Sequence, residues 1–399
     1  MLAIKNATLY PISSPVIEQG TLLIENGKIV AIGADITIPE GAEVIDAAGK
    51  HITPGIVEAH CHLSVMDFGD DDDDNQMAMD SIPAAMNPGF GPAVTPDYMS
   101  IYSFNPQHDD LFRALSAGVT TILTRPGSGK IITGQGIVTK TYGKNRREMV
   151  LRNPAELKVA LGENPKRSFG NRRLMPSTRM GSAALLREAF FKGQEYMKKR
   201  EANPNFPYNP QLEPIAMALR GEIPVCIHAH RADDIMTALR VQDEFGFHCT
   251  IEHASEAHLI PEELRKRNVP AVLGPTLART KLETAGKDFV AAGILERAGV
   301  TVCITTDAGV VPIEHLRTSV SLSYRAGMSE EGALRSMTLT AAEVIHVADR
   351  LGSLDAGKDA DLVVFDNHPL SLLSSVLQTW VNGHLAYDSS RDLETWERA

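Results

Sequence analysis

The sequence predicts a (β/α)8 barrel of the TIM type joined to a discontinuous β-sandwich domain built from both chain ends. Three observations carry that expectation. About eight short apolar runs alternate with helix-like stretches through the middle of the chain, the signature of parallel βα units. Both ends carry short β-type segments broken by turn residues. Histidines and one aspartate recur at the C-terminal tips of the apolar runs.

The 399 residues exceed the roughly 250 that a barrel needs, which leaves room for one small companion domain. That domain is expected at residues 1–53 and 346–399, with the barrel at 54–345. Near the N-terminus, Thr21-Leu22-Leu23-Ile24-Glu25, then Asn26-Gly27, then Lys28-Ile29-Val30-Ala31-Ile32-Gly33 read as a hairpin, because Asn and Gly accept the left-handed backbone of a two-residue turn. Ala360-Asp361-Leu362-Val363-Val364-Phe365-Asp366 and Thr379 to Tyr387 have the same character. Neither end has enough strands to bury a sheet face alone, so the two are expected to combine.

Within the barrel region, strands are expected to end near His62, Leu123, Lys140, Glu163, His228, His253, Gly274 and Asp307. Ser182 to Glu201 is apolar at helical spacing and ends on Lys198, Lys199 and Arg200, which favour a helix C-terminus. Met66 to Asp109 has no period and reads as a long loop over the barrel mouth. Gly127-Ser128-Gly129-Lys130 and Gly134-Gln135-Gly136 lack the full spacing of a phosphate loop and read as barrel turns.

Composition narrows the function classes. A net charge of -11 argues against a nucleic-acid or anionic-membrane binder, either of which needs a basic face. The start has no apolar core and cleavage site of a secretory signal, and no stretch is long and apolar enough to span a bilayer. Cys61, Cys226, Cys249 and Cys303 fall inside expected strands, where buried free thiols are common. A cytoplasmic location is expected.

Chemistry concentrates at the strand tips. In Ile56-Val57-Glu58-Ala59-His60-Cys61-His62, two histidines two apart on a strand point the same way and can reach one ion. Ile223-Pro224-Val225-Cys226-Ile227-His228 and Phe247-His248-Cys249-Thr250-Ile251-Glu252-His253 each end an apolar run in histidine. Val302-Cys303-Ile304-Thr305-Thr306-Asp307 ends one in an acid. The C-terminal ends of barrel strands converge on the face where this fold places its active sites. His230 could contact substrate, replace His228 as a ligand, or simply open the next helix. Arg231 and Arg179 could each fork onto a substrate carboxylate. The run Asp70-Asp71-Asp72-Asp73-Asp74 could attract a cation or be a solvated loop.

These motifs resemble the amidohydrolase superfamily, in particular its imidazolonepropionase-like and prolidase-like branch. The resemblance spans almost the whole chain: Pro54-Gly55 before the paired histidines, the later His228, His253 and Asp307, and Gly352-Ser353-Leu354-Asp355-Ala356-Gly357-Lys358-Asp359-Ala360-Asp361-Leu362, which is similar to the family's return into its β domain. It implies one or two divalent metals, with zinc the default for histidine and carboxylate ligands. Carried over by position, His60, His62 and Asp307 would bind the first metal and His228 and His253 the second. Asp307 would also serve as the general base for metal-activated water.

The commonest family pattern bridges the metals with a carboxylated lysine at the end of the fourth strand. Here the candidate segment Glu156-Leu157-Lys158-Val159-Ala160-Leu161-Gly162-Glu163 has Lys158 near its start and Glu163 at its end. A ligand belongs at the catalytic end, so Glu163 is the expected bridge. If the strand stops earlier, Lys158 takes that place.

The implied activity is hydrolysis of an amide-type C–N bond in a dipeptide, an N-acyl amino acid or a cyclic amide. Heterocycle deamination or opening of an imidazolone-type ring is the alternative. The related deaminases place a glutamate shortly after the strand-five histidine, and Ala229-His230-Arg231-Ala232-Asp233 lacks it. A non-catalytic scaffold is disfavoured because the ligand-type residues persist. The expected partners are a small-molecule substrate and further copies of the chain in a homo-oligomer.

Overall fold

The structure is a computed structural model that describes residues 1–65 and 92–392. The acidic run Asp70 to Asp74 and most of the expected mouth loop lie outside the described residues. Five N-terminal strands, β1 (Leu2–Leu9), β2 (Ile17–Glu25), β3 (Lys28–Gly33), β4 (Glu43–Asp46) and β5 (His51–Pro54), precede the barrel. The barrel strands are β6 (Ile56–Cys61), β7 (Val119–Thr124), β8 (Ile132–Lys140), β9 (Val150–Ala160), β10 (Val225–Ala229), β11 (Cys249–His253), β12 (Ala271–Leu273) and β13 (Val302–Ile304). The chain returns through β14 (Leu362–Phe365), β15 (Val376–Val381) and β16 (His384–Asp388).

Strands from the two ends join one eight-stranded sheet in the order β16-β15-β14-β5-β1-β2-β3, with β4 beside β1. The junction is the antiparallel pair β5–β14, where Ile52 faces Val364. Ile4, Leu22, Ile29 and Ile52 from the first end and Leu362 and Trp380 from the second share one buried core. Each such apolar side chain contributes about 1.5–3 kcal/mol on burial, and neither end supplies that core alone.

The barrel sheet runs from β6 to β13 in chain order. It closes through a parallel bridge between Cys61 and Ala308, with the His62 amide donating to the Ala308 carbonyl at 2.9 Å. Ile227, Ile251 and Ile304 face outward into the main core against the surrounding helices. One of those helices spans Arg179–Ala202 and covers the stretch read as helical from sequence. All four cysteines are free and buried in barrel strands. No helix among the described residues is long and apolar enough to cross a membrane.

The third strand departs from the parallel expectation. β8 pairs antiparallel with both β7 and β9. Its reversal puts Lys140 at the floor of the barrel instead of the mouth. There its ammonium meets Asp361 at 2.5 Å and Asp359 at 3.2 Å, and Lys28 and Arg350 also pair with Asp359. This ionic knot, buried at Lys140, Asp359 and Asp361, fastens the barrel floor to the segment leading into β14.

Candidate metal centre

The paired histidines sit where β6 runs out. His60 Nε2 and His62 Nε2 lie 3.3 and 3.2 Å from the same oxygen, Asp307 Oδ1, which arrives from the tip of β13. His253, at the end of β11, brings Nδ1 to 3.7 Å from Asp307 Oδ2. Its ring is 4.7 Å from that of His60 and 4.3 Å from that of His228 on β10. His230 joins the same group, its ring 4.9 Å from His253 and stacked on it. Two buried sets of ligand atoms result, His60 with His253 and Asp307, and His228 with His230 and His253, each within 4.8 Å. His253 belongs to both.

Outer partners fix the orientation of the rings. His62 Nδ1 faces the Arg125 carbonyl at 2.8 Å, His253 Nδ1 the Gly274 carbonyl at 2.9 Å and His230 Nδ1 the Ser255 hydroxyl at 2.8 Å. Hydrogen bonds of this kind select the tautomer that leaves the other nitrogen bare for an ion. Glu58, wholly buried beneath the cluster, accepts from the amides of His60 and Thr306 and from the Thr306 hydroxyl, and so clamps β6 to β13. Burial still outweighs those donors and pushes its carboxyl up to about 7.

Electrostatics prepares the imidazoles as neutral ligands. Burial first, then the cations Lys158 and Arg125, bring His60 down to about 4. Burial and Lys281 bring His230 to about 3. Burial and the neighbouring imidazoles depress His228 well below its usual value. Burial favours the neutral acid at Asp307, but His253, His60 and His62 together hold the carboxyl well below the usual carboxylate range.

The donor set fits a divalent cation. Three buried atoms at its centre, His60 Nε2, Asp307 Oδ1 and His228 Nδ1, have no hydrogen-bond partner among the described residues. A buried polar group left unpaired costs about 1–3 kcal/mol, so several facing one another are poorly explained as structure alone. Imidazole nitrogens with a carboxylate oxygen are the ligand types that zinc and its first-row neighbours take.

The position of Glu163 corrects the sequence reading. β9 ends at Ala160, Gly162 turns the chain with φ of 82°, and Glu163 is the first residue of a helix over Glu163–Gly170. A β-carbon at Gly162 would strike the Glu283 carboxylate. The Glu163 side chain is partly exposed and lies 3.8 Å from Arg167. Lys158, by contrast, is fully buried inside the barrel, level with Cys226, and its ammonium has no hydrogen-bond partner among the described residues. Burial and the nearby Arg125 lower it to about 8.

Arg179 and Arg231 are not brought to the cluster. Arg179 Nε pairs with Asp234 at 2.9 Å, and Arg231 Nε pairs with Asp233 at the same distance on the outer surface. The glycine-rich turn before β8 does reach the mouth. Ser128 Oγ accepts from Asn164 Nδ2 at 2.8 Å, and the same amide lies 3.4 Å from His228 Nε2.

Sequence reasoning missed the charged interior below the site. Arg125 Nε meets Glu156 at 2.9 Å and its Nη1 meets Glu252 at 3.2 Å, all three side chains being sealed from solvent. The available signal was charge inside apolar strands, as in Ala155-Glu156-Leu157-Lys158-Val159 and Thr250-Ile251-Glu252-His253.

A closed eight-stranded barrel with five histidines and an aspartate gathered at its mouth defines the class: α/β barrel proteins with a histidine-aspartate centre. This chain belongs to the amidohydrolase family, whose model matches residues 51–386. It is 28% identical over 403 residues to the amidohydrolase tasK of Hapsidospora irregularis, covering 92% of this chain and 40% of that longer protein. It is 26% identical over 384 residues to an imidazolonepropionase of a Geobacillus species, covering 88% of this chain and 84% of the relative. A crystal structure of an amidohydrolase from Thermotoga maritima superposes with a TM-score of 0.90 at 38% identity, over 97% of this chain and 100% of the other.

Proposed function

We propose that the protein hydrolyses an amide-type C–N bond of a small substrate at a divalent metal centre, zinc being the default ion, with one or two ions per chain. The observation that carries this reading is the convergence of His60, His62 and His253 on Asp307 within 3.2 to 3.7 Å at the barrel mouth. His60, His62, His253 and Asp307 would hold one ion, and His228 and His230, with His253 at the boundary, would hold a second.

Such an ion, when bound, lowers the pKa of water towards neutrality and polarises a carbonyl. Asp307 supplies the proton chemistry. Its carboxyl stays ionised at neutral pH because three imidazoles outweigh its burial, so it can take a proton from the attacking water and pass it to the departing nitrogen. Lys158 is the better candidate bridge: an unpartnered amine that burial holds near 8 could combine with carbon dioxide to give a carbamate between the two ligand sets, releasing one proton. The similarity to imidazolonepropionases puts cyclic amides beside dipeptides and N-acyl amino acids in the substrate panel.

The test is the double variant His60→Ala/His62→Ala. It should lose both bound metal and hydrolysis across that panel while keeping the wild-type circular dichroism spectrum. Undiminished hydrolysis in that variant overturns the assignment.

A further inference from the structure

His60 Nδ1 faces both an acceptor and a pure donor. Glu252 Oε2 lies 2.5 Å from His60 Nδ1, and Arg125 Nη1 lies 3.1 Å from the same atom. Each partner favours a different tautomer. If Nδ1 were bare, Arg125 would donate to it, and the proton on Nε2 would point at Asp307 Oδ1 and block the ion. If Nδ1 carries the proton, it donates to Glu252 and leaves the Nε2 lone pair facing the site. The carboxylate is the closer partner, and Arg125 has other groups beside it: its Nε lies 2.9 Å from Glu156 and its Nη1 3.2 Å from Glu252 as ion pairs, and its Nη2 donates to the Ala59 carbonyl at 2.8 Å.

We infer that Glu252 is a positioning residue that selects the metal-competent tautomer of His60, and that Arg125, 3.2 Å from its carboxylate, helps to aim it. Three features of the geometry support this. Glu252 sits directly before the ligand His253 on β11, so the strand that presents one ligand also orients another on β6. The second Glu252 oxygen is held by the Thr250 hydroxyl at 2.5 Å, which leaves the carboxylate no freedom to swing away from His60. All the groups are buried, so water cannot substitute for the missing acceptor. The inference rests on the metal-centre reading only for its consequence; the tautomer itself is a property of the metal-free protein.

Glu156 supplies the control, because it balances the same guanidinium without touching His60. Outer partners of ligating histidines are worth about 10–100-fold in metal affinity. Zinc affinity, measured by chelator competition, should therefore fall by about that factor in Glu252→Gln and stay near the wild-type value in Glu156→Gln. An equal loss in both variants would mean that only the charge balance of the barrel interior matters, and an unchanged affinity in Glu252→Gln would mean that Glu252 does not position His60. Either result overturns the proposal.

A second measurement does not depend on the glutamate variants folding or on metal binding. Long-range nitrogen-proton correlation spectra of metal-free, histidine-labelled wild-type protein, with His60 assigned by signal loss in His60→Asn, should show its proton on Nδ1. A proton on Nε2 refutes the inference even if the centre binds metal. A protein that binds no zinc but shows the Nδ1 proton refutes the metal centre and leaves the Glu252 assignment standing.

Discussion

His228 and His253 hold their rings 4.3 Å apart and inclined by 68° at the tips of adjacent parallel strands. In the register of β10 and β11, His228 is level with Glu252 and Ala229 with His253. Glu252 already faces the interior, where it meets His60, so strand alternation would turn His253 outward with Ile251. A left-handed backbone at His253, with φ of 68°, brings its ring back into the mouth. Asp307 uses the same device, with φ of 53°. A non-glycine residue in this region costs about 1–3 kcal/mol, and here two residues of one cluster carry that cost, the pattern of strain held at functional sites.

The strain at Asp307 separates its chemistry from its backbone. Asn tolerates the left-handed region and a β-branched residue does not. Asp307→Asn should lower turnover by about 10²–10⁴-fold, the range for loss of a general base, with little change in urea midpoint. Asp307→Val should lose turnover equally and also lose about 1–2 kcal/mol of stability beyond the Asn variant. Equal midpoints for the two variants would argue against backbone strain at this position.

The metal-free protein should be acid-labile in a defined window. Unfolded histidines titrate near 6.5, whereas burial holds His60 at about 4 and His230 at about 3 in the folded chain. Between pH 6.5 and 4 the unfolded state therefore binds more protons, and stability falls as pH drops. This contribution is fully present above pH 6.5 and for His60 is lost by about pH 4. Each such imidazole can cost up to about 1.4 kcal/mol per pH unit across the window. Urea unfolding of chelator-treated protein between pH 7.5 and 5.5 should show the slope, and His230→Gln should flatten it; an unchanged slope in that variant contradicts the assignment.

Lys158 and Glu163 are distinguished by metal content. Lys158→Met should lower metal per chain and make loading insensitive to bicarbonate, because it removes the buried amine that could form a bridging carbamate. Glu163→Ala should leave metal per chain unchanged, since that carboxylate lies beside Arg167 on a helix. A loss confined to the Glu163 variant would restore the original strand-end reading.

How far the sequence could be read differs from one element to another. His60, His62, His228, His253 and Asp307 were legible because a polar residue that closes an apolar run at a barrel strand tip has one physical destination, the mouth. His230 reads from sequence as a substrate contact, a ligand in place of His228 or a helix start, and the structure puts its ring beside those of His228 and His253. The sequence places the strand end at Glu163 because Leu161 and Gly162 continue the apolar run past the end of β9. Pro165, in the first turn of the next helix, marked the boundary. The reversal of β8 left no trace in periodicity, since a buried strand looks the same in either direction. Arg125, Glu156 and Glu252 pair across three strands, and no local pattern encodes such partners.

The most direct test of the account is elemental analysis of the purified protein beside His253→Asn. His253 is the residue shared by both sets of ligand atoms, so its loss should damage both at once. At least one divalent ion per chain in the wild type, with most of it lost in His253→Asn, is the predicted result. A wild-type chain that binds no divalent metal, or a His253→Asn chain that keeps its full complement, would contradict a metal centre at this barrel mouth.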